Sequence, residues 1–192
     1  MKKLWIKIVK LRGWKFVIPD RAEHPEIDRC VVAVAPHTCI EDFFVGAAVL
    51  MESKVNFRIF MKKEFFNWFT SPILRKLGVI PVDRGNRHNG LVDSAVKAFK
   101  DNERMAIVIT PEGTRKAVKR WKRGFYEIAV QAQVPIYLCY MDFAKKEAGY
   151  GPLFYPTGDF QTDLPEMMKF YEGVTAKFPE LYNKHCDAVP SK

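Results

Sequence analysis

The sequence has little that would carry it across a membrane or out of a cell. Its longest apolar run, Phe43 to Met51, falls far short of the ~20 residues that span a bilayer as a helix. The amino-terminal residues show no clean apolar core followed by a small-residue cleavage site, so no secretion route is expected. Cysteine is sparse and unpatterned: Cys30, Cys39, Cys139 and Cys186 form no C-x-x-C pair, and Cys30 and Cys139 lie inside apolar runs that read as core strands. Neither a zinc site nor a disulfide framework is indicated, and a reducing compartment, the cytoplasm, fits best. There is no internal repeat, no low-complexity tract and no compositional break. With 192 residues, 48% of them hydrophobic, the chain has the material for one domain around one core.

Acidic residues are also in deficit, 22 against 31 basic ones, for a formal charge of +9. That excess implies an anionic partner: nucleic acid, a phosphorylated metabolite, an acidic carrier protein or an anionic bilayer. Residues 1–16 narrow the choice. Leu4, Trp5, Ile8, Val9 and Leu11 recur at helical spacing, with Lys2, Lys3, Lys7 and Lys10 on the other side, a basic amphipathic segment suited to a membrane surface. The same stripe would equally serve to pack on the domain's own core. The segment is set apart from a main domain spanning 17–192.

After a short strand at Lys15 to Ile18, apolar runs and helical periodicities alternate. Strands are predicted at 30–35, 57–61, 78–82, 105–109 and 135–142, with helices at 42–52, 64–76, 89–100 and 123–132 between them. This order is α/β: a single domain with a mostly parallel or mixed central sheet flanked by helices. Met105 to Ile109 and Ile136 to Tyr140 are apolar on both alternating faces, as inner strands covered on each side must be. From Gly149 the chain, rich in Pro and Gly, reads as a strand or loop crossing the edge of the sheet before a last helix around Glu166 to Lys177, docked outside.

The residues that carry chemistry follow strands. His37 and Asp42 stand in Pro36-His37-Thr38-Cys39-Ile40-Glu41-Asp42. A His that takes a proton from an alcohol needs a carboxylate to fix its tautomer and stabilise the imidazolium. On one continuous helix, side chains five residues apart would point roughly 140° away from each other, so a turn must separate the two. Pro36 ends the strand and supplies that break, and Glu41 and Asp42 fall in a first helical turn, where the macrodipole favours carboxylates. Asp83 and Arg84 follow the next-but-one strand, and Pro111-Glu112-Gly113-Thr114-Arg115 follows Met105 to Ile109. In open α/β sheets, sites collect at the carboxyl ends of strands, so three segments distant in sequence aim at one rim.

These blocks together resemble the glycerolipid acyltransferase family typified by the 1-acylglycerol-3-phosphate acyltransferases. The motifs stand in family order: H-x4-D as His37 and Asp42, Gly78-Val79-Ile80-Pro81-Val82-Asp83-Arg84, Pro111 to Arg115, and Val134-Pro135-Ile136. The resemblance implies a glycerol-phosphate acyltransferase-like fold and transfer of a fatty acyl group, without metal or bound cofactor. The donor would be an acyl-CoA or acyl carrier protein thioester, and the acceptor a lysophospholipid hydroxyl, first of all that of 1-acylglycerol-3-phosphate. By position His37 is the general base and Asp42 its orienter. Arg84 and Arg115 hold the acceptor's phosphate, while Glu112, Gly113 and Thr114 shape its pocket. Arginine's planar fork suits a phosphate, and Gly113 permits close backbone approach or a positive φ. Two positions depart from the family: Pro36 stands where many members have Asn, and Cys39 replaces a small polar residue. The long amino-terminal helical pair of many members is also lacking, so membrane contact is expected to be peripheral, on the cytoplasmic face, through Lys2 to Phe16.

Other readings compete with this one. Cys39 could carry the acyl group as a thioester with His37 as its base, although a small residue tolerated in the loop is the simpler account. The run Arg115, Lys116, Lys119, Arg120, Lys122, Arg123 surrounds Trp121 as nucleic-acid surfaces do. Nucleic-acid binding leaves His37, Asp42 and Glu112 unexplained, and no nucleic-acid partner is expected; acyl carrier protein or lipid headgroups suit the run better. Phe43, Phe44, Phe65, Phe66, Trp68, Phe69 and Leu74 flank the proposed site, most of them expected in the core and some against an acyl chain. A different acceptor, such as an amino-acid-containing lysolipid or an alcohol, and a catalytically idle lipid-binding protein remain as alternatives.

Overall fold

The computed structural model describes residues 2–62, 64, 66–76, 78–82 and 90–188. Its strands are β1 (Lys15–Val17), β2 (Arg29–Val34), β3 (Phe57–Lys62), β4 (Val79–Val82), β5 (Met105–Ile109), β6 (Arg120–Trp121), β7 (Ile136–Asp142), β8 (Glu147–Phe154) and β9 (Asp187–Ala188). Its helices are α1 (Lys2–Leu11), α2 (Glu41–Glu52), α3 (Thr70–Lys76), α4 (Leu91–Asp101), α5 (Gly124–Ala132) and α6 (Phe160–Glu172). Seven strands form one mixed sheet in the order β1-β8-β7-β2-β5-β3-β4, and β6 pairs with β9 apart from it. The five strands from β7 to β4 are mutually parallel. β8 runs antiparallel to β7, and β1 is parallel to β8.

The period-two alternation of the central strands loads both faces. Val31, Ala33, Ile107 and Leu138 point into a core closed by α4, α5 and α6. Cys30, Val32, Cys139 and Met141 point the other way, against α1 and α2. After β2 the chain crosses by α2 on one face to β3; after β5 it crosses by α5 on the opposite face to β7. β2 and β5 are direct neighbours, with Ala33 opposite Ile109. Their carboxyl ends therefore part toward opposite faces, the arrangement that opens a crevice in a doubly wound sheet.

Three elements differ from expectation. The helix predicted from 64 starts at Thr70, because the Asn67 side chain accepts the amides of Phe69 and Thr70 at 3.0 and 2.9 Å and builds a turn first. The last helix starts at Phe160 instead of Glu166 and runs through Pro165. Asp159 caps it, accepting from Gln161 N at 3.0 Å, and Phe160, Leu164, Met167 and Tyr171 bury its inner face. The amino-terminal stripe divides. Trp5, Ile6 and Val9 join the core, with Trp5 Nε1 donating to Phe44 O at 3.1 Å, while Leu4 (63% exposed) and Leu11 (77%) face outward.

Candidate active site

β2 ends at Val34, the Ala35–Pro36 peptide is cis, and the chain wraps a short loop around one carboxylate before α2 begins. Asp42, only 2% exposed, accepts through Oδ2 from the amides of Thr38 and Cys39 at 2.8 and 2.9 Å and lies 3.1 Å from His37 Nδ1. Its Oδ1 accepts from the Cys39 thiol at 3.1 Å. Burial by itself would raise the Asp42 pKa. The hydrogen bonds from His37, Cys39 and Thr38 outweigh it and hold the carboxyl below its usual range. An ionised Asp42 favours the tautomer with the proton on Nδ1, which leaves the ring's lone pair on Nε2. Cys39 is pushed up to about 11, first by burial and then by its bond to Asp42. Its thiol is a donor in this shell, not a thiolate nucleophile at neutral pH.

The second motif reaches this loop from the end of β5. Glu112, 3% exposed, turns its carboxylate inward, and Oε2 accepts the His37 backbone amide at 2.8 Å. This bond joins the two loops across the crevice. Burial drives Glu112 up to about 8; the His37 amide opposes the shift and the nearby Asp42 charge adds to it. Between pH 4.5 and about 8 the folded protein therefore keeps a proton that the unfolded chain has released, so Glu112 should make stability fall as pH rises through that window and level off above it. Glu112→Gln should flatten this part of the profile. Thermal melts of both proteins from about pH 5 to 8.5 test this, and a stability difference constant with pH would contradict it.

His37, Asp42 and Arg115 all line one cavity of about 460 Å³. It lies between α2 and the sheet face carrying Val32, Val34 and Val108, and runs inward to Cys139, Met141 and Tyr150. Its volume is that of an ordinary small-molecule pocket, and its walls are mainly hydrocarbon. Gly113 takes a positive φ of 64° in a turn closed by its amide on Thr110 O at 3.0 Å. Thr114 is exposed and is not among the lining residues described. Asp83 and Arg84 lie outside the described residues, as does Phe65. The aromatic cluster is less of a core than expected: Phe43, Phe44 and Leu74 line the cavity, while Trp68 and Phe69 stand exposed on the Asn67 turn. Trp121 is buried in the core and has no face to offer a nucleic-acid base. Among the described residues, no cluster of three or more His, Cys, Asp or Glu is placed to hold a metal ion.

The carboxyl-terminal segment braces both loops, a role that no local sequence pattern announces. Lys177 pairs with Glu41, and Phe178 N donates to Thr38 Oγ1 at 3.4 Å. Farther on, Asn183 Nδ2 donates to Val118 O at 3.1 Å, and Asp187 N to Lys119 O at 3.0 Å. Only the sheet order places these partners together.

A dyad set in an apolar cavity at the switch point, with an arginine lining the same space, agrees with the family comparison. A family model described as Acyltransferase matches residues 17–142, more than half of the chain. The chain belongs to the acyltransferase family. Its fold is similar to the crystal structure of the 1-acyl-sn-glycerophosphate (LPA) acyltransferase PlsC from Thermotoga maritima, with a TM-score of 0.58 and 16% sequence identity over 90% of this chain and 76% of that one. At that identity the likeness concerns the fold of the acyltransferase alone. No curated protein is significantly similar in sequence. Among the described residues, no helix of the acyltransferase is long and apolar enough to cross a membrane.

Proposed function

We propose that this acyltransferase moves a fatty acyl group from acyl-CoA or acyl carrier protein to the hydroxyl of a lysophospholipid, with 1-acylglycerol-3-phosphate as acceptor and phosphatidate as product. The observation that carries the reading is the His37–Asp42 pair, at 3.1 Å, on the wall of an apolar cavity that Arg115 also lines. The cavity takes the acyl chain and places the thioester carbonyl beside His37. Nε2 removes the acceptor's hydroxyl proton as the oxygen attacks that carbonyl, and Asp42 stabilises the imidazolium. The tetrahedral intermediate collapses to an ester and expels the thiolate, to which His37 returns the proton. Arg115, with Arg84, holds the acceptor's phosphate. No bound cofactor or metal enters these steps.

Anionic lipid is the surface on which the acceptor is met. The support is the outward row Leu4, Ile8 and Leu11 on α1, flanked by Lys2, Lys3 and Lys7, and the exposed Ile40 and Phe44 at the cavity. The expected product of acyl-CoA and lysophosphatidate in anionic vesicles is phosphatidate; free fatty acid alone would count against the function. In the same assay Leu4→Glu with Leu11→Glu should release the protein from vesicles in flotation while turnover of a short-chain, monomeric acceptor persists. Undiminished flotation would contradict the surface assignment.

A further inference from the structure

We propose that the protein carries a phosphate-binding site apart from the catalytic cavity, formed by Arg58, Arg75 and Lys2 at the amino-terminal ends of β3 and β4. The inference goes beyond the acyl transfer proposed above and does not depend on it. The site is a cavity of about 440 Å³ enclosed by the start of α1, the end of α2, the end of α3 and the first residues of β3 and β4. Among the described residues, none lines both this cavity and that of His37. β3 divides between the two: Phe57 and Arg58 line this one, Ile59 and Phe60 the other. On α2, Met51 lies nine residues beyond Asp42, roughly 14 Å along the axis.

Arg58 is held in place there. It stands one position before Ile59, which pairs with Val79, so the residue beside it on the next strand is Gly78. Gly78 takes a φ of 77°, and its N donates to Arg75 O at 3.0 Å, which ties the end of α3 to the same point. A Cβ built on Gly78 would lie 2.6 Å from Phe57 O and 3.8 Å from Arg58 Nη1. The half-buried Arg58 therefore folds back past the bare glycine, where Nη1 donates to Asn56 Oδ1 at 2.7 Å and to Phe57 O at 3.1 Å. These bonds fix the fork through one nitrogen, and Nη2 and Nε have no partner among the described residues. Nothing in the cavity offsets the charge. Among the described residues that line it, three are cationic and none is acidic. Lys10, on the same helix as Lys2, pairs with Glu52 at 2.7 Å, whereas neither Lys2 nor Arg75 has an ion pair among the described residues. Like charges around one cavity repel, and an anion seated among them removes that cost. A guanidinium whose plane is already set, with a second arginine and an ammonium beside it, suits a phosphate group. Two sources present that group: a lipid headgroup, because α1 also carries the outward Leu4, Ile8 and Leu11, and a soluble phosphorylated compound.

The probe is inorganic phosphate, added to the 15N-labelled protein at constant ionic strength and followed by NMR through the backbone amides of Asn56, Arg58 and Gly78. These amides should shift saturably with phosphate and not with chloride. Arg58→Met should weaken the affinity read there roughly tenfold, as one charge-assisted bond is lost; Arg58→Lys should recover part of the loss, and Arg75→Met should weaken binding as well. Arg115→Ala, which removes a cation of the catalytic cavity, should leave this titration unchanged, so failure of the proposed reaction and failure of the site are told apart. If Arg58→Met does not fold, Arg75→Met, altered at an exposed position of α3, decides alone. Shifts that are absent or equally produced by chloride in the wild type, or an affinity unchanged in every folded variant of Arg58 and Arg75, would overturn the inference. Soluble dihexanoyl phosphatidate, with dihexanoyl phosphatidylcholine as its control, separates the sources, and either result upholds the site: tighter binding of the phosphatidate than of phosphate identifies a lipid headgroup, and binding no tighter identifies a soluble phosphorylated ligand.

Discussion

His37→Ala is expected to lower acceptor-dependent acyl transfer by roughly 10²–10⁴-fold while the protein stays folded. The imidazole touches Asp42 through Nδ1, but the amides of Thr38 and Cys39 and the Cys39 thiol still satisfy that carboxylate when the ring is gone. The loop thus keeps its shape, and the loss falls on proton transfer. Two readouts separate this from a folding defect. Thermal stability should change little, and added imidazole should restore part of the rate by occupying the vacated space beside Asp42. A variant within a few-fold of wild type would remove His37 from the mechanism.

Asp42→Asn should cost nearly as much, roughly 10²-fold or more in kcat, with KM almost unchanged. The carboxamide oxygen can still accept the Thr38 and Cys39 amides, so the loop closes around it much as before. What disappears is the negative charge that the His37 bond and the two amides hold ionised, and with it the stabilisation of the imidazolium formed as the hydroxyl attacks. Because His37 and Asp42 act as one unit, His37→Ala with Asp42→Asn should be no slower than His37→Ala alone. Steady-state kinetics of the three variants check this, and multiplicative losses would mean that Asp42 works independently of the histidine.

How much of this could be read from the sequence depended on the distance over which each interaction acts. Inner strands such as Met105–Ile109 and Ile136–Asp142 declare themselves as apolar runs, because burial on both faces leaves no polar position. The break between His37 and Asp42 was legible because a helix cannot bring side chains five apart together. Interactions governed by topology were not. The Glu112 carboxylate on the His37 amide spans 75 residues, and it forms because β2 and β5 are neighbours, which no local pattern states. The helix ends missed at Thr70 and Phe160 turn on single side chains, Asn67 and Asp159, whose capping bonds outweighed the turn signals of the surrounding residues. The outward half of the α1 stripe, Leu4, Ile8 and Leu11, shares its spacing with the inward half, so periodicity could not divide them.

The most direct test is thiol release from palmitoyl-CoA and from palmitoyl carrier protein by the wild-type protein, with and without lysophosphatidate. Release that requires the acceptor, with one phosphatidate formed for each thiol freed, is the expected result, and the donor that supports it is thereby identified. Release that proceeds equally without acceptor would make the protein a thioester hydrolase and contradict acyl transfer to a lysophospholipid; no release from either donor would contradict it as well.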